Sequence, residues 1–495
     1  MSATVVVEEE RLFEVGEPGG ALCAQAPAGE DKAFRSYDPD QVLLMAPVLK
    51  EWVPEGDLAH FVSDLVETGA LDLAAIYAAY EVERGYPPYH PRLMVKLLVY
   101  GYANGVASSR KLEAATYRDV AVRMLCADQH PDYRSIARFR KRHLEALAGL
   151  FVQALRLCKQ AELVSLGTLA LDGTKLRANA SRHKAMSHQR MVKAEAQLEA
   201  EIAALRENVE ALLEDAERVD AQEDERYGSD RRGDELPEEL KRREGRLERI
   251  REAKQALEHE AAEAERARRQ ELEAQGKQPR APRDGRDPFA PKPKAQRNFT
   301  DPESKIMKTS DGAFHQCFNG QAVVDSGAQV IVAAELSAEA PDQRQLEPAL
   351  DQLAENLKAI DAELPADAAL LGDAGYFSED NVTITAEHGL DPYIATGRQK
   401  HSDPPPIAPR GPVPKRATPK QRMARKNRTR KGRAVYARRK AIVEPVFGQL
   451  QTVQDARRLL LRGRAAARAQ WRFQCAVHNL LKLHRNGGLA LLSPG

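Results

Sequence analysis

The chain lacks any apolar run near the roughly 20 residues that cross a bilayer as a helix, so no membrane span is expected. Its first residues, MSATVVVEEERLFEV, are acidic and lack the basic start and apolar stretch of a secretion signal. A cytoplasmic location is expected from the scattered cysteines. The five cysteines, Cys23, Cys126, Cys158, Cys317 and Cys475, form no CxxC pair. That supports neither a zinc site nor a disulfide framework, and fits reduced thiols. Net charge is only +1, which by itself argues nothing for nucleic acid.

The charge distribution says more. From Arg398 to Lys440 the chain carries sixteen Lys or Arg and one acid, Asp403. Acidic residues gather in 195–275. Such segregation suggests a local anion-binding surface. With 495 residues the chain exceeds one ordinary core, so two or three domains are expected.

Residues 1–35 have no sustained period and read as a disordered arm. Residues 36–160 read as a helical domain, with apolar residues at i, i+3, i+4 spacing. Ser135 is the expected N-cap of its last helix, SIARFRKRHLEALAGLFVQALRL. TLALD then reads as a buried strand that ends at Asp172. Residues 187–275 carry two heptad seams. One runs through Leu198, Ile202, Leu205, Val209, Leu212, Ala216 and Val219. The other runs through Leu240, Leu247, Ile250, Leu257, Ala261 and Ala264. A polar break between them predicts an inserted antiparallel coiled-coil hairpin; one solvated charged helix is the alternative. Residues 276–297 read as a Pro- and Lys-rich linker.

After the linker, FNGQAVVDS and QVIVAAELS read as a strand hairpin. A helix follows, with Asp342 as its expected N-cap. DAALLGDAGY reads as a strand, SEDNVTITAEHG as a helix that Ser378 caps, and DPYIATG as a strand. Residues 398–434 read as an irregular, basic, Pro-rich insertion, and 435–485 as helix. Without the coiled coil the order is strand, strand, strand, helix, strand, helix, strand, helix. That is the order of an α/β RNase H-like core, a five-stranded mixed sheet flanked by helices, here assigned to 161–186 and 298–485.

Three acids fall on the elements that place chemistry in such a core: Asp172 at the end of the first strand, Asp373 at the end of the fourth, Glu444 near the start of the last helix. Cutting a phosphodiester needs an activated hydroxyl and a stabilised leaving oxygen, and two hard cations held by carboxylates supply both. Each acid also has a plainer reading, as a turn, cap or helix-surface residue. Asp325, at a hairpin turn, and Asp342, at a helix start, are competing acids that suit those plainer roles better.

At these residues the sequence resembles the bacterial insertion-sequence transposases of the DDE type. The resemblance rests on LALDGTKLRANAS, LLGDAGYFSEDN and RKAIVEPVFGQLQ, in that order. NFTDPESKIMK and QCFNGQAVVD resemble the segment before the second strand. HPRLMVKLLVYGYANGVASSRKLEAA and DYRSIARFRKRH resemble the N-terminal helical domain, which is expected to contact transposon ends. The resemblance implies that Asp172, Asp373 and Glu444 bind two Mg²⁺ ions, with Mn²⁺ as a substitute. Its signature also places a Tyr, a basic residue and a Lys on the helix of the catalytic Glu. Lys440 fits the basic position. Ala437 stands where the Tyr is expected, one residue after Tyr436, and Gln451 stands where the Lys is expected.

The implied partners are double-stranded DNA, both transposon-end inverted repeats and target, and a second copy of the chain on that DNA. Expected phosphate contacts are Arg422, Arg425, Lys426, Arg428, Arg430, Lys431, Arg439 and Lys440, by salt-dependent pairing. Arg138, Lys141 and Arg142 lie near one face of a helix and could form a recognition surface; a solvated helix face is the alternative. Three functions stay open at this point: a transposase that cuts and joins 3′ ends, a catalytically dead DNA-binding scaffold on the same fold, and an RNase H-like nuclease without strand transfer.

Overall fold

The structure, a computed structural model, describes residues 48–80, 88–180, 185–204, 236–274, 276–280, 285–397 and 408–492. The expected arm over 1–35, the polar break up to residue 235 and the start of the basic segment (398–407) lie outside these residues. No helix among the described residues is long and apolar enough to cross a membrane.

Eight helices open the described chain; two are single turns, Leu49–Trp52 and Ala74–Tyr77, and the six longer ones are α1 Leu58–Glu67, α2 Pro91–Ala103, α3 Ser109–Arg118, α4 Val120–Leu125, α5 Tyr133–Arg142 and α6 Leu144–Gln160. Their starts follow local chemistry. Asp57 caps α1 and Pro91 opens α2. The long helix expected from Ser135 onward is instead two. Asp132, not Ser135, is the cap of α5, accepting from the Arg134 and Ser135 amides. The helix breaks at His143, which is buried between the rings of Tyr80 and Phe139.

The acidic stretch holds helical residues 188–204 (α7) and α8, Leu236–Ala274. Met191, Leu198 and Ile202 pack with Leu247, Ile250, Ala253 and Leu257. Arg243 pairs with Glu201 at 2.9 Å, and Lys254 with Glu195 at 2.6 Å. Rising numbers on one helix meet falling numbers on the other, so the two run antiparallel. The expected seam stops short of Ala264, which is exposed. Leu205, Val209, Leu212, Ala216, Val219 and the Leu240 side chain lie outside the described residues. Strands β2 Ala185–Ser187 and β3 Gln296–Asn298 pair beneath the helices, so the expected linker ends in a strand.

The main sheet is formed by β1 Thr168–Arg177, β4 Lys305–Lys308, β5 Phe314–Asp325, β6 Ile331–Ser337, β7 Ala369–Gly372 and β8 Asp391–Ile394. Its path is β6-β5-β1-β7-β8, antiparallel from β6 to β1 and parallel from β1 to β8. This is the five-stranded mixed order expected. A sixth strand, β4, pairs with the start of β5. β1 runs well past the TLALD segment, so Asp172 sits in mid-strand opposite Ala322.

Helix α9 (Leu346–Ala359) packs on β6, and α10 (Glu379–Glu387) follows β7, capped by Ser378 as expected. Residues 419–428 and 430–434, expected to be irregular, are helical. A capping box of Thr418 and Gln421 starts α11 (Pro419–Arg428). Thr429 caps α12 (Arg430–Thr452). Glu444 therefore lies in the interior of α12, and the last long helix is α13 (Arg464–Arg485). Pro445 is tolerated inside α12 for an identifiable reason. A helical proline leaves the carbonyl four residues back without its donor. That carbonyl, Ala441 O, takes the Gln329 side-chain amide at 2.9 Å. α12 packs on β1, and α13 lies between β6 and α6. One continuous apolar core joins the helices to the sheet.

Candidate active site

Asp172 and Asp373 come from adjacent parallel strands. The strand register places Asp172 two residues beyond Ala170, which pairs with Leu371, while Asp373 is the first residue after β7. Asp172 accepts a hydrogen bond from the Gly173 amide at 2.8 Å and an ion pair from Arg439 Nη1 at 3.0 Å. Burial pushes the Asp172 carboxyl above the usual range. The Arg439 guanidinium opposes that shift, and the nearby Asp373 charge adds to it. Asp373 Oδ1 accepts from the Gly375 amide at 2.8 Å and so caps the short 3₁₀ turn Ala374–Tyr376.

Glu444 is bonded to neither of them. It is exposed on α12 and makes no hydrogen bond or ion pair among the described residues. No three His, Cys, Asp or Glu side chains among those residues stand close enough to hold one ion. Asp172 and Asp373 stand within electrostatic reach of each other, and no contact among the described residues ties Glu444 to them. The helix is nonetheless fixed on the right strand, since Gln451, seven residues after Glu444, donates to Thr174 Oγ1 at 2.8 Å. The reason is geometric. Strand pairing fixes a strand residue to its neighbour, whereas a helix residue faces wherever the helix is rotated.

The divalent cation that such an acid pair calls for can be tested against the residues present. Carboxylate oxygens are the hard donors that Mg²⁺ prefers. A guanidinium already stands beside Asp172 as a cation. Asp172 and Asp373 therefore fit such an ion.

Reading the sequence alone missed a second set of residues. Asp342, expected to cap a helix, makes no cap bond. Its Oδ1 accepts instead from Lys175 Nζ at 2.9 Å, Asn319 Nδ2 at 2.8 Å and Gln321 Nε2 at 3.2 Å. Gln321 in turn accepts from the hydroxyl of Tyr376, which is fully buried. The signal was present: Asn319 and Gln321 are two polar residues at strand spacing inside an otherwise apolar run. Asp325 has the plainer role expected of it. It is buried and accepts from the Ser165 hydroxyl and the Leu166 and Gly327 amides.

The expected phosphate contacts divide. Arg428, Arg430, Lys431 and Lys440 are exposed and make no hydrogen bond or ion pair among the described residues. Arg138 and Lys141 are likewise exposed on α5. The others have internal partners. Lys426 pairs with Asp391 and stands 4.0 Å over the Tyr393 ring. Arg439 holds Asp172. Arg422 and Arg425 donate to the carbonyls of Ala417 and Arg410. Arg142 lies over the Tyr80 ring and donates to Ala79 O.

Two family profiles match the chain. One, described as "Transposase domain (DUF772)", covers residues 47–142. The other, described as "Transposase DDE domain", covers residues 280–480. Asp373 and Glu444 fall inside the second, and Asp172 falls between the two. No curated protein and no solved structure matches the chain.

Proposed function

The chain belongs to the DDE-type transposases of insertion sequences, and from that premise we propose that it binds the inverted repeats of its element, cuts the 3′ ends and joins them to target DNA. The observation that carries this reading is the pairing of Asp172 and Asp373 at neighbouring strands of an RNase H-like sheet, beside a helix that carries the exposed cations Arg430, Lys431 and Lys440.

In this reading Asp172, Asp373 and Glu444 hold two Mg²⁺ ions, with Mn²⁺ as a substitute. Those ions, when bound, supply activation of the attacking hydroxyl and stabilisation of the leaving oxygen. Glu444 is included because its carboxylate is free of protein partners and its helix is tied to β1 through Gln451. Arg439 neutralises Asp172, which desolvation would otherwise tend to protonate. Rigid placement of the acids comes from the strands and from the turn that Asp373 caps.

DNA is held by salt-dependent contacts from Arg428, Arg430, Lys431 and Lys440 on α11 and α12, and from Arg138 and Lys141 on α5. Arg142, Arg422, Arg425 and Lys426 support those surfaces through their internal bonds. The segment 36–160 serves as the end-binding domain and 187–275 as an inserted coiled-coil hairpin. One set of acids per chain and two ends per element call for a homodimer on the DNA.

The test uses the purified chain, DNA carrying the element's own ends, and Mg²⁺ or Mn²⁺. Asp172→Asn should keep end binding and lose cleavage. Cleavage by that variant at the parent rate would refute the assignment. Nicked ends without joined products would identify a nuclease, and no cleavage by the parent chain would identify a binding scaffold.

A further inference from the structure

The polar side chains behind Asp373 form a connected set that the reaction scheme above does not use. Asp342 lies at its centre. One of its oxygens, Oδ1, gathers Lys175 from β1 together with Asn319 and Gln321 from β5. Asn319 and Gln321 are fully buried, and buried amides of this kind need partners. The other oxygen, Oδ2, takes no hydrogen bond among the described residues. A Cβ added to Gly375 would stand 3.0 Å from Asp373 Oδ1 and 3.7 Å from Asp342 Oδ2, so the two carboxylates flank one glycine.

We propose that Asp342 is a positioning residue for both site aspartates, acting through Gln321. This inference rests on the reading of Asp172 and Asp373 as the cation holders. The chemistry of the donors explains how it works. A carboxylate only accepts hydrogen bonds. Gln321 must therefore turn its NH₂ toward Asp342, where it also reaches Asn319 Oδ1 at 2.9 Å. Its carbonyl oxygen is thereby aimed at the Tyr376 hydroxyl. Tyr376 belongs to the turn that Asp373 caps, and Asn381 Nδ2 fixes its backbone carbonyl at 2.7 Å. Ring and backbone of that turn are both tied.

The same amide sets Asp172. Gln321 Nε2 lies against Gly173, where a Cβ would come within 2.4 Å of it. The Gly173 amide is the one that donates to Asp172. One oriented glutamine thus braces the residue beside each acid. An asparagine at 342 presents a donor as readily as an acceptor. It would leave the Lys175 ammonium without its counter-charge, and it would free Gln321 to flip and drop the Tyr376 bond.

The experiment measures Mn²⁺ binding to the full chain without DNA, by the paramagnetic resonance of free Mn²⁺. Cleavage kinetics and thermal unfolding are measured in parallel. Asp342→Asn and Tyr376→Phe should each weaken Mn²⁺ binding about tenfold, in the range found for residues that orient metal ligands. kcat should fall while KM for DNA stays, and the double variant should be no weaker than Asp342→Asn alone. A merely structural role would lower the unfolding temperature and leave Mn²⁺ affinity unchanged. Binding by both variants within about twofold of the parent overturns the proposal. An effect of Asp342→Asn without one of Tyr376→Phe overturns the route through Gln321. If Asp342→Asn does not fold, Tyr376→Phe decides, since it removes one hydroxyl only. Asp172→Asn and Asp373→Asn separate the two readings. If they also bind Mn²⁺ normally, the cation assignment itself fails. If they lose binding while the other two keep it, only the positioning role fails.

Discussion

Helices α12 and α13 follow one another, have nearly equal length, and do opposite things. α13 buries fourteen of its 22 residues, between β6 and α6. α12 buries five of its 23. The burial on α13 includes polar groups whose partners are all internal. Asn479 bonds both backbone groups of Ile331, and His478 and Lys482 reach Gln329. α12 keeps most of its charges in solvent and touches β1 through Arg439 and Gln451. One turn residue serves both helices, since Gln329 also fills the gap that Pro445 leaves in α12. A helix that anchors the core has few side chains left to meet a ligand, and a helix that meets a ligand depends on its neighbour for anchorage.

The sharpest test of that contrast is Glu444→Gln. If α12 is the working helix, cleavage should fall on the order of a thousandfold, as expected when several kcal/mol of transition-state stabilisation are lost. Unfolding free energy should stay within about 0.5 kcal/mol, the usual range for a surface change. Parent-like cleavage by this variant would remove Glu444 from the site and leave the two strand-borne acids alone.

The matching change on the other helix is Leu480→Ala. Leu480 is buried, so denaturant unfolding should show a loss of roughly 2–5 kcal/mol. Mn²⁺ affinity of the folded fraction should not change. A shift in that affinity would mean that α13 also shapes the site.

A third test uses pH. Burial depresses the His478 pKa to about 3, against an ordinary value near 6.5. The unfolded chain therefore binds a proton that the folded chain refuses in this window. The stability tied to neutral His478 is present above about pH 6.5 and is lost progressively as pH falls toward about 3. His478→Gln should flatten that part of the stability–pH curve. An unchanged slope would show that other groups carry it.

The smallest effect is expected from single exposed cations. Arg430→Ala or Lys431→Ala should lower the slope of log affinity against log salt by about one each. Neither should alter stability measurably. A salt slope equal to the parent's would place the DNA elsewhere than on α12.

Strand-borne features were legible in the sequence because pairing and pleat leave a strand little freedom. The mixed sheet order, the β5–β6 hairpin and the position of Asp373 all follow from short apolar runs with an acid or turn residue after them. Asp172 was found on its strand but misplaced at its end, since the polar residues Gly173–Lys175 hide the continuation of β1. Helical features were less legible. The basic run 398–434 reads as an irregular insertion, yet Thr418 and Thr429 cap two helices in it. Ser135 and Asp342 resemble caps and are not, because Asp132 competes for one helix start and Lys175 captures the other acid.

By itself, then, the sequence determined the family, the sheet and the two strand-borne acids. Each is written in local pattern, where alternation, caps and motif residues act over a few positions. Only the tertiary structure decided which way Glu444 faces, that Arg439 pairs with Asp172, and that Asp342 serves a buried network. Those outcomes depend on how α12 is rotated on β1 and on which donors from distant strands meet one carboxylate oxygen. Contacts such as Arg439 with Asp172 and Lys175 with Asp342, between residues more than a hundred positions apart, leave no periodic trace in the chain.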